Sequence, residues 1–174
     1  MLPKYFNKFR KQPETKDLPR MIDGCKISYE FPPIYNNIVR AFRVNPKCYF
    51  TYGDTLYNPH KLPIPPEIIE HEKIHMRQQS YNDKDAALWW GRYLREPEFR
   101  IDQEAKAYGR QYKVFCELVK DGNKRNRLLV ELSQILAGPL YGLVIMPAQA
   151  CKLITKYSQA GIAILYSGYE KTLQ

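Results

Sequence analysis

The run Pro-Glu-Ile-Ile-Glu-His-Glu-Lys-Ile-His-Met-Arg-Gln-Gln occupies residues 66–79 and constrains the fold more than any other stretch of the chain. A proline opens the run, at the one turn of a helix where its missing N–H group costs nothing. Glutamates at positions 67 and 70 then bring negative charge to the positive end of a helix dipole. The run therefore predicts a helix that begins near Pro66 and ends near Gln79.

Two histidines and a glutamate on this helix form the pattern H-E-x-x-H. His71 and His75 are four residues apart, so a helix places both imidazoles on one face, where they can share a metal ion. Glu72 can take a proton from a zinc-bound water without being a ligand itself. The pattern thus indicates a Zn2+ site with Glu72 as catalytic base. The alternative is a coincidence on a surface helix, which a pattern of this specificity makes uncommon.

Catalytic zinc needs a third protein ligand and an open fourth position. Glu104 is the best candidate, because it falls on the apolar stripe of a second predicted helix that begins at Pro97. A carboxylate on an apolar face is costly unless it is paired or bound to a metal, and an ion pair with Arg92 or Arg100 is the alternative. His60 is a less well placed candidate, in a proline-rich stretch before the motif. The stripe comprises Ile101, Ala105, Tyr108, Tyr112, Phe115 and Val119.

Three further expectations concern the surroundings of the site. Tyr108 lies one turn beyond Glu104 and is a candidate donor to an oxyanion, with a place in the core as the alternative. Glu98 and Asp102 fall elsewhere around the same helix and are predicted to face solvent. The segment at residues 49–57 is predicted to be an edge strand that binds an extended peptide, with an ordinary sheet strand as the alternative.

The rest of the chain divides into strands first and helices after. Segments rich in Ile, Val, Tyr and Phe predict strands at residues 25–31, 38–44 and 47–52. Beyond the motif, helices are predicted from a cap at Asp83 or Asp85 through residue 94, from 97 to about 121–123, from 125 to 137, and from Pro147 into the Tyr157 region. The final stretch, residues 161–174, is either helix or strand. This order predicts an α+β fold, with a small N-terminal antiparallel sheet packed on a mainly helical core.

The 174 residues suit one ordinary domain, and 44% of them are hydrophobic, which excludes a disordered composition. The beginning of the chain is basic and broken by prolines, so it is predicted to be an extended arm. The predicted division is an arm at 1–22 and a single domain at 23–174, made of a strand-rich part (23–60), the metal-site helices (61–120) and a C-terminal helical part (121–174).

Net charge and cysteine content limit which partners and which cellular compartment are expected. The net charge of +9 favours an acidic partner such as nucleic acid, an anionic membrane or an acidic protein, with an ordinary solvated surface as the alternative. No recognised nucleic-acid motif supports the first of these. The four cysteines form no C-x-x-C pair, and the chain opens without a signal peptide. No apolar run reaches the length of a membrane span. The expectation is a cytoplasmic chain with reduced cysteines.

The site residues resemble the gluzincin branch of the zincins, in which H-E-x-x-H on one helix is followed by a glutamate on a later helix. Here that glutamate stands in the E-x-x-A-Y run that begins at Glu104. The resemblance implies a zinc metallopeptidase with His71, His75 and Glu104 as ligands and Glu72 as general base. Gln103 precedes Glu104 where the thermolysin type has asparagine, so the chain departs from that family.

The metzincin subclass is excluded, because its continuation of the motif requires glycine and histidine where this chain has Gln78 and Tyr81. More loosely, the whole chain is similar to small metallopeptidase-like proteins encoded by bacteriophages. That likeness rests on the proline-led stretch at 52–66, on the Trp-Trp pair and the Tyr-Leu that follows it within 89–94, and on residues 136–142.

Two functions follow from these likenesses. The first is a zinc-dependent hydrolase, specifically a metallopeptidase acting on a peptide or protein substrate. The second is a catalytically silent zincin-like structural or assembly protein of a phage particle, motivated by the basic arm, the 14 tyrosines and the helical portion after the site. For a phage-encoded chain, the expected location is the host cytoplasm or the virion.

Overall fold

The computed structural model describes residues 20–42, 47–81 and 85–166, which form one small sheet and a set of helices. The strands are β1 (Met21–Ile22), β2 (Cys25–Ser28), β3 (Phe50–Tyr52) and β4 (Thr55–Tyr57). The helices are α1 (Tyr35–Phe42), α2 (Pro66–Tyr81), α3 (Ala86–Arg95), α4 (Pro97–Leu118), α5 (Gly122–Leu136), α6 (Pro147–Gln159) and α7 (Ile162–Tyr166). A 3₁₀ turn at Pro139–Tyr141 separates α5 from α6. The predicted α+β class is confirmed.

The sheet is mixed, and the prediction of an antiparallel sheet is wrong. Its strand order is β1-β2-β4-β3. β1 pairs antiparallel with β2, and β3 pairs antiparallel with β4 across the tight turn at Gly53, but β2 and β4 run parallel. Parallel neighbours need a crossover connection, usually a helix, and α1 lies in that connection.

Helix α1 replaces a predicted strand. Residues 38–42 of the strand expected at 38–44 are helical, while residues 43 and 44 lie outside the described part of the chain. The reason is a helical spacing of apolar residues: Ile34, Ile38 and Phe42 are four apart, and all three pack with the aromatic residues of α3. Short runs rich in Ile and Val do not distinguish the two structures without this spacing.

The predicted helix at residues 66–79 is confirmed as α2, which packs against α4. On its other side α4 packs against α6, and the two backbones approach closely at Gly109. A Cβ atom at Gly109 would lie 2.5 Å from Tyr157 Cβ, so only glycine fits there without a shift. Helix α4 is thus the centre of the molecule, between α2 and α6.

The boundary between α4 and α5 differs from the prediction. Helix α4 ends at Leu118, earlier than the Asp-Gly-Asn sequence expected to end it, and α5 begins at Gly122. Asp121 is the N-cap of α5, because its Oδ1 accepts hydrogen bonds from the backbone N–H groups of Asn123 (2.9 Å) and Lys124 (3.2 Å). The same aspartate was predicted to stop one helix and instead starts the next.

The strands predicted at 25–31 and 47–52 are shorter in the structure, as β2 and β3, whereas the starts of α3 and α6 agree with the prediction. Asp85 caps α3, as one of the two predicted alternatives, and Asp83 lies outside the described residues. Helix α6 begins at Pro147 as predicted, and residues 162–166 form the short helix α7. Of the predicted arm, residues 1–19 lie outside the described part of the chain, while Met21 and Ile22 form β1.

The apolar core consists of distinct clusters. The largest joins α4, α5 and α6 and includes Ile101, Ala105, Leu136 and Ile154, which confirms the inward stripe predicted for α4. A second lies between the sheet and α2, and a third packs α1 and β3 against α3, including the buried Trp89 and Trp90. All four cysteines are free. Within the described residues, no helix is both long and apolar enough to cross a membrane.

Candidate metal centre

Helix α2 brings both motif histidines into the interior. His71 and His75 are 7% and 6% exposed, and their Nε2 atoms lie 3.1 Å apart. Their rings meet edge to face with centroids 4.8 Å apart, which is the arrangement expected for residues one turn apart on one helix face. Two imidazole nitrogens therefore face the same point.

Helix α4 contributes Glu104 to that point, as the sequence predicted. Its carboxylate oxygens lie 3.4 Å from His75 Nε2 and 3.7 Å from His71 Nε2, and the residue is 5% exposed. These three side chains form the group of potential metal ligands among the described residues, and His60 is not part of it.

The three side chains fit a zinc ion in chemistry, and their spacing is close to that of a zinc site. Tetrahedral zinc holds imidazole nitrogen and carboxylate oxygen at about 2.0–2.2 Å, which separates neighbouring ligand atoms by about 3.3–3.5 Å. Nε2 of His75 lies 3.1 Å from Nε2 of His71 and 3.4 Å from Glu104 Oε1, while Nε2 of His71 lies 3.7 Å from the other carboxylate oxygen, Oε2. Taken as one ligand atom from each residue, the three atoms lie within 4.8 Å of one another. The arginine pairing considered for Glu104 is absent in the described structure: Arg92 pairs with Glu96, and Arg100 donates to the Tyr93 carbonyl.

The three potential ligands shift one another's pKa strongly. Burial alone would lower the pKa of His75, but the charge and hydrogen bonding of Glu104 raise it to about 9. Burial, reinforced by the charge of His75, lowers the pKa of His71 to about 3. Burial opposes ionisation of Glu104, yet the charge of His75 and its hydrogen bond lower the pKa of Glu104 to about 2. The directions of these pKa shifts show that a positive charge next to Glu104 is strongly favoured.

Glu72 lines the same cavity and is held by the sheet. Thr51 Oγ1 on β3 donates a hydrogen bond of 2.6 Å to Glu72 Oε2. Burial raises the pKa of Glu72, against the opposing charge of His75 and the Thr51 hydrogen bond. A carboxyl whose pKa is raised by burial is a stronger base when ionised, which is the property that a catalytic base needs.

Buried tyrosines surround Glu104, and two of them are residues that the sequence did not single out. Tyr93 OH donates to Glu104 Oε1 at 2.6 Å, and Tyr141 OH donates to Glu104 Oε2 at 3.2 Å. Tyr108 OH lies 2.9 Å from Tyr141 OH, and its ring packs on His71. Burial raises the pKa of all three phenols, so they stay protonated. The predicted oxyanion donor, Tyr108, therefore reaches Glu104 through Tyr141, and it is also part of the core.

The spacing of the motif carries no signal for Tyr93 or Tyr141, which come from α3 and from the 3₁₀ turn. Each lies in a stretch on which the likeness to phage-encoded proteins rests, within residues 89–94 and 136–142.

Of the acidic residues predicted to face solvent, Glu98 does so. The prediction for Asp102 is wrong, because Asp102 is half-buried and forms an ion pair of 2.8 Å with the buried Lys106. That pair lies one turn along the same helix, where a lysine at i+4 neutralises the carboxylate.

A small cavity adjoins the site. Its volume is about 130 Å³, and its lining combines the site residues with aromatic and aliphatic side chains. A cavity of about 150 Å³ holds a molecule the size of benzene, whereas pockets for drug-sized ligands are about 300–1,000 Å³. The enclosed space beside the ligand atoms is therefore smaller than the pockets that bind drug-sized ligands.

β3 lies at one edge of the sheet beside the site, as predicted, whereas residues 55–57 of the predicted edge segment at 49–57 form the interior strand β4. The carbonyl of Thr51 accepts hydrogen bonds from Gln79 Nε2 (2.9 Å) and from Trp90 Nε1 (2.9 Å). An added substrate strand would have to displace these side chains to use that carbonyl. At Thr51, this edge is therefore closed by the protein's own side chains.

No protein-family model matches the chain, and searches of curated proteins and of solved structures likewise found no match. The likeness to gluzincins therefore rests on the four residues His71, Glu72, His75 and Glu104.

Proposed function

We propose that this chain is a zinc-dependent hydrolase, and specifically a metallopeptidase acting on peptide or protein substrates. One observation carries the proposal: the H-E-x-x-H helix and Glu104 direct three ligand atoms at one point, in a cavity that also holds a second carboxylate, Glu72. A structural zinc site with a closed ligand set does not need that second carboxylate or the cavity.

The charges of the site suit a divalent cation. His71 and His75 coordinate as neutral imidazoles, while Glu104 and Glu72 each bring one negative charge. Two buried carboxylates without a counter-charge would be strongly destabilising, and a 2+ ion balances them. His71, His75 and Glu104 would hold this ion, leaving a fourth position for water or substrate.

Each residue then has a separate chemical role. Bound zinc supplies Lewis acidity, which polarises a substrate carbonyl and lowers the pKa of water towards neutrality. Glu72 accepts the proton of the attacking water and returns it to the leaving amine, while the Thr51 hydroxyl orients one of its oxygens. The hydrogen of the Tyr141 phenol is committed to Glu104 Oε2, so Tyr108 is the candidate donor to negative charge that develops in the transition state, once its hydroxyl turns away from Tyr141.

The first measurement is the metal content of protein purified without added metal. Wild type and Glu72→Gln are expected to contain about one zinc per chain, and Glu104→Ala much less. Glu72→Gln removes only the base, so its turnover of a peptide substrate should fall by about 100- to 10,000-fold. Full activity in Glu72→Gln, or a wild type that takes up no zinc when zinc is offered, would refute the proposal.

A second candidate function has its own support. The cavity of about 130 Å³ and the occupied carbonyl of Thr51 both suit a zincin-like site that is catalytically silent in a structural or assembly protein, such as one of a phage particle. Such a protein binds zinc, hydrolyses no peptide of a diverse library, and purifies in stable association with a larger assembly. Robust turnover by wild type and its loss in Glu72→Gln exclude this candidate.

A further inference from the structure

The nitrogen of each motif histidine that faces away from the common point lies near a buried glutamine. For His75 the glutamine is Gln78, on the same helix, whose side chain lies 2.9 Å from His75 Nδ1. For His71 it is Gln111 on α4, which is 1% exposed and lines the same cavity as His71. Neither glutamine belongs to the H-E-x-x-H pattern, and the proposed chemistry above uses neither.

The orientation of the Gln78 amide is fixed by its other contacts. Its Nε2 faces two carbonyl oxygens, those of Gln103 (3.1 Å) and Leu165 (3.4 Å). An amide nitrogen is a donor only, so Nε2 belongs on that side and Oε1 faces His75. Since Oε1 is an acceptor only, His75 must carry hydrogen at Nδ1. In a neutral ring this leaves the lone pair on Nε2, the atom that faces His71 and Glu104.

His71 and Gln111 form the second pair, and here too the histidine is expected to carry hydrogen at Nδ1. His71 Nδ1 and Gln111 Oε1 are both buried and both lack a partner with standard hydrogen-bond geometry among the described residues. Both side chains line the same cavity. A hydrogen on His71 Nδ1 directed at Gln111 Oε1 satisfies one buried donor and one buried acceptor together.

We infer that Gln78 and Gln111 are positioning residues: they hold His75 and His71 with hydrogen on Nδ1 and thereby present both Nε2 lone pairs to one divalent metal ion. This inference rests on the proposed function, since it takes the motif histidines as ligands. Outer hydrogen bonds of this kind fix the orientation of metal-binding histidines and contribute to metal affinity.

The two glutamines are neutral, and that also fits the site. Glu104 and Glu72 already balance a divalent ion, and a third buried carboxylate would have no counter-charge in the metal-free protein. A glutamate at position 111 would keep an acceptor for His71 Nδ1 while adding this charge. It should therefore bind zinc at least as tightly as glutamine does, and destabilise the protein when zinc is removed.

The test compares zinc dissociation constants, measured by competition with a chromophoric chelator. Gln78→Met and Gln111→Met replace each acceptor by an apolar side chain of similar length, and each should weaken zinc binding by about 10- to 100-fold. Gln79→Met is the matched control. Gln79 is a buried neighbour on the same helix, but its amide bonds the β3 backbone at Thr51 and Gly53 and touches no histidine. Its zinc affinity should stay at the wild-type value.

A spectroscopic measurement separates positioning from a merely structural role. In zinc-loaded wild type, long-range proton–nitrogen NMR spectra should show Nδ1–H and metal-bound Nε2 for both histidines. In each methionine variant this pattern should be lost or exchange-broadened at one histidine, His75 for Gln78→Met and His71 for Gln111→Met. Gln111→Glu is the rescue variant, because glutamate keeps an acceptor for His71 Nδ1. It tests the role of residue 111 in positioning His71 even if Gln111→Met does not fold.

The outcomes separate this inference from the proposed function. A wild type that binds zinc and hydrolyses peptides, with both methionine variants equal to Gln79→Met in zinc affinity, refutes the positioning role alone. Zinc affinity in Gln111→Glu that falls below wild type also refutes it for His71. A wild type without zinc affinity refutes the inference and the proposed function together.

Discussion

The two sides of α4 differ in what they bury: one buries apolar side chains and the other buries polar ones. Towards α5 and α6 the helix meets an apolar cluster that includes Leu136, Ala150 and Ile154, all of them fully buried. Towards α2 it presents buried polar groups, Glu104 and Gln111, to the motif histidines. The first side is stable by packing alone, whereas the polar side carries a desolvation cost that a cation offsets. We therefore expect the apolar side to set the stability of the fold and the polar side to set its dependence on metal.

Truncation of the apolar side should give the largest loss of stability. Ile154 on α6 is 0% exposed and does not line the cavity. Ile154→Ala should lower the free energy of unfolding by about 2–5 kcal/mol, because burial is lost and a cavity remains. Urea denaturation measures this value. Ile154→Val should cost about 0.5–1.5 kcal/mol, and zinc affinity should be unchanged in both variants. A marked loss of zinc affinity in Ile154→Ala would break the distinction between the two sides.

Zinc itself should stabilise the protein through the polar side. At a free zinc concentration 100 times the dissociation constant, linkage predicts a gain of about 2.7 kcal/mol in the free energy of unfolding. Thermal denaturation with zinc and with a chelator measures the gain. Glu104→Ala should show almost none of it, whereas Ile154→Val should show the full effect. An equal gain in Glu104→Ala would indicate that zinc acts elsewhere in the protein.

Close packing between α4 and α6 provides a third test of the apolar side. A Cβ atom at position 109 would lie 2.5 Å from Tyr157 Cβ and 2.8 Å from the Tyr157 carbonyl carbon. Gly109→Ala should therefore lower the free energy of unfolding by about 1–3 kcal/mol, as overpacking does. Gly122→Ala is the control, since a Cβ atom there meets nothing within 4 Å. The control should be neutral or slightly stabilising, and the zinc-linked gain should persist in Gly109→Ala.

The sequence predicted most of what short-range pattern determines. The sequence predicted the motif, the helix that carries it and the place of Glu104 beside the histidines. It could do so because a four-residue spacing and an acidic residue on an apolar stripe are local patterns. The pairing of strands that are distant in sequence could not be predicted in this way. The parallel pairing of β2 with β4 depends on the crossover through α1, and no local pattern reports which strands become neighbours.

The parts of the site that escaped prediction are contacts between elements far apart in sequence. Thr51 is 21 residues from Glu72, and Tyr141 is 37 residues from Glu104. A buried threonine or tyrosine is ordinary core in any sequence, and its role appears only when packing brings it to a charge. Gln78 is the exception, because it lies one turn beyond His75 on the same face, and that spacing was available from the sequence.

The smallest expected effect concerns a hydrogen bond that stabilises Glu104, on the polar side of α4, when no metal is bound. Tyr141→Phe removes a hydrogen bond to Glu104 Oε2 and should lower the free energy of unfolding of the metal-free protein by about 1 kcal/mol. Tyr157→Phe is the matched control, since its hydroxyl bonds Asp102, a carboxylate of α4 outside the site. With zinc bound, the 2+ charge of the metal replaces the weaker stabilisation of the Glu104 carboxylate by His75, so the cost of Tyr141→Phe should shrink while that of Tyr157→Phe stays the same. Urea denaturation with zinc and with chelator gives all four values. An equal cost for Tyr141→Phe in both conditions would mean that the phenol stabilises the core and not the charge on Glu104.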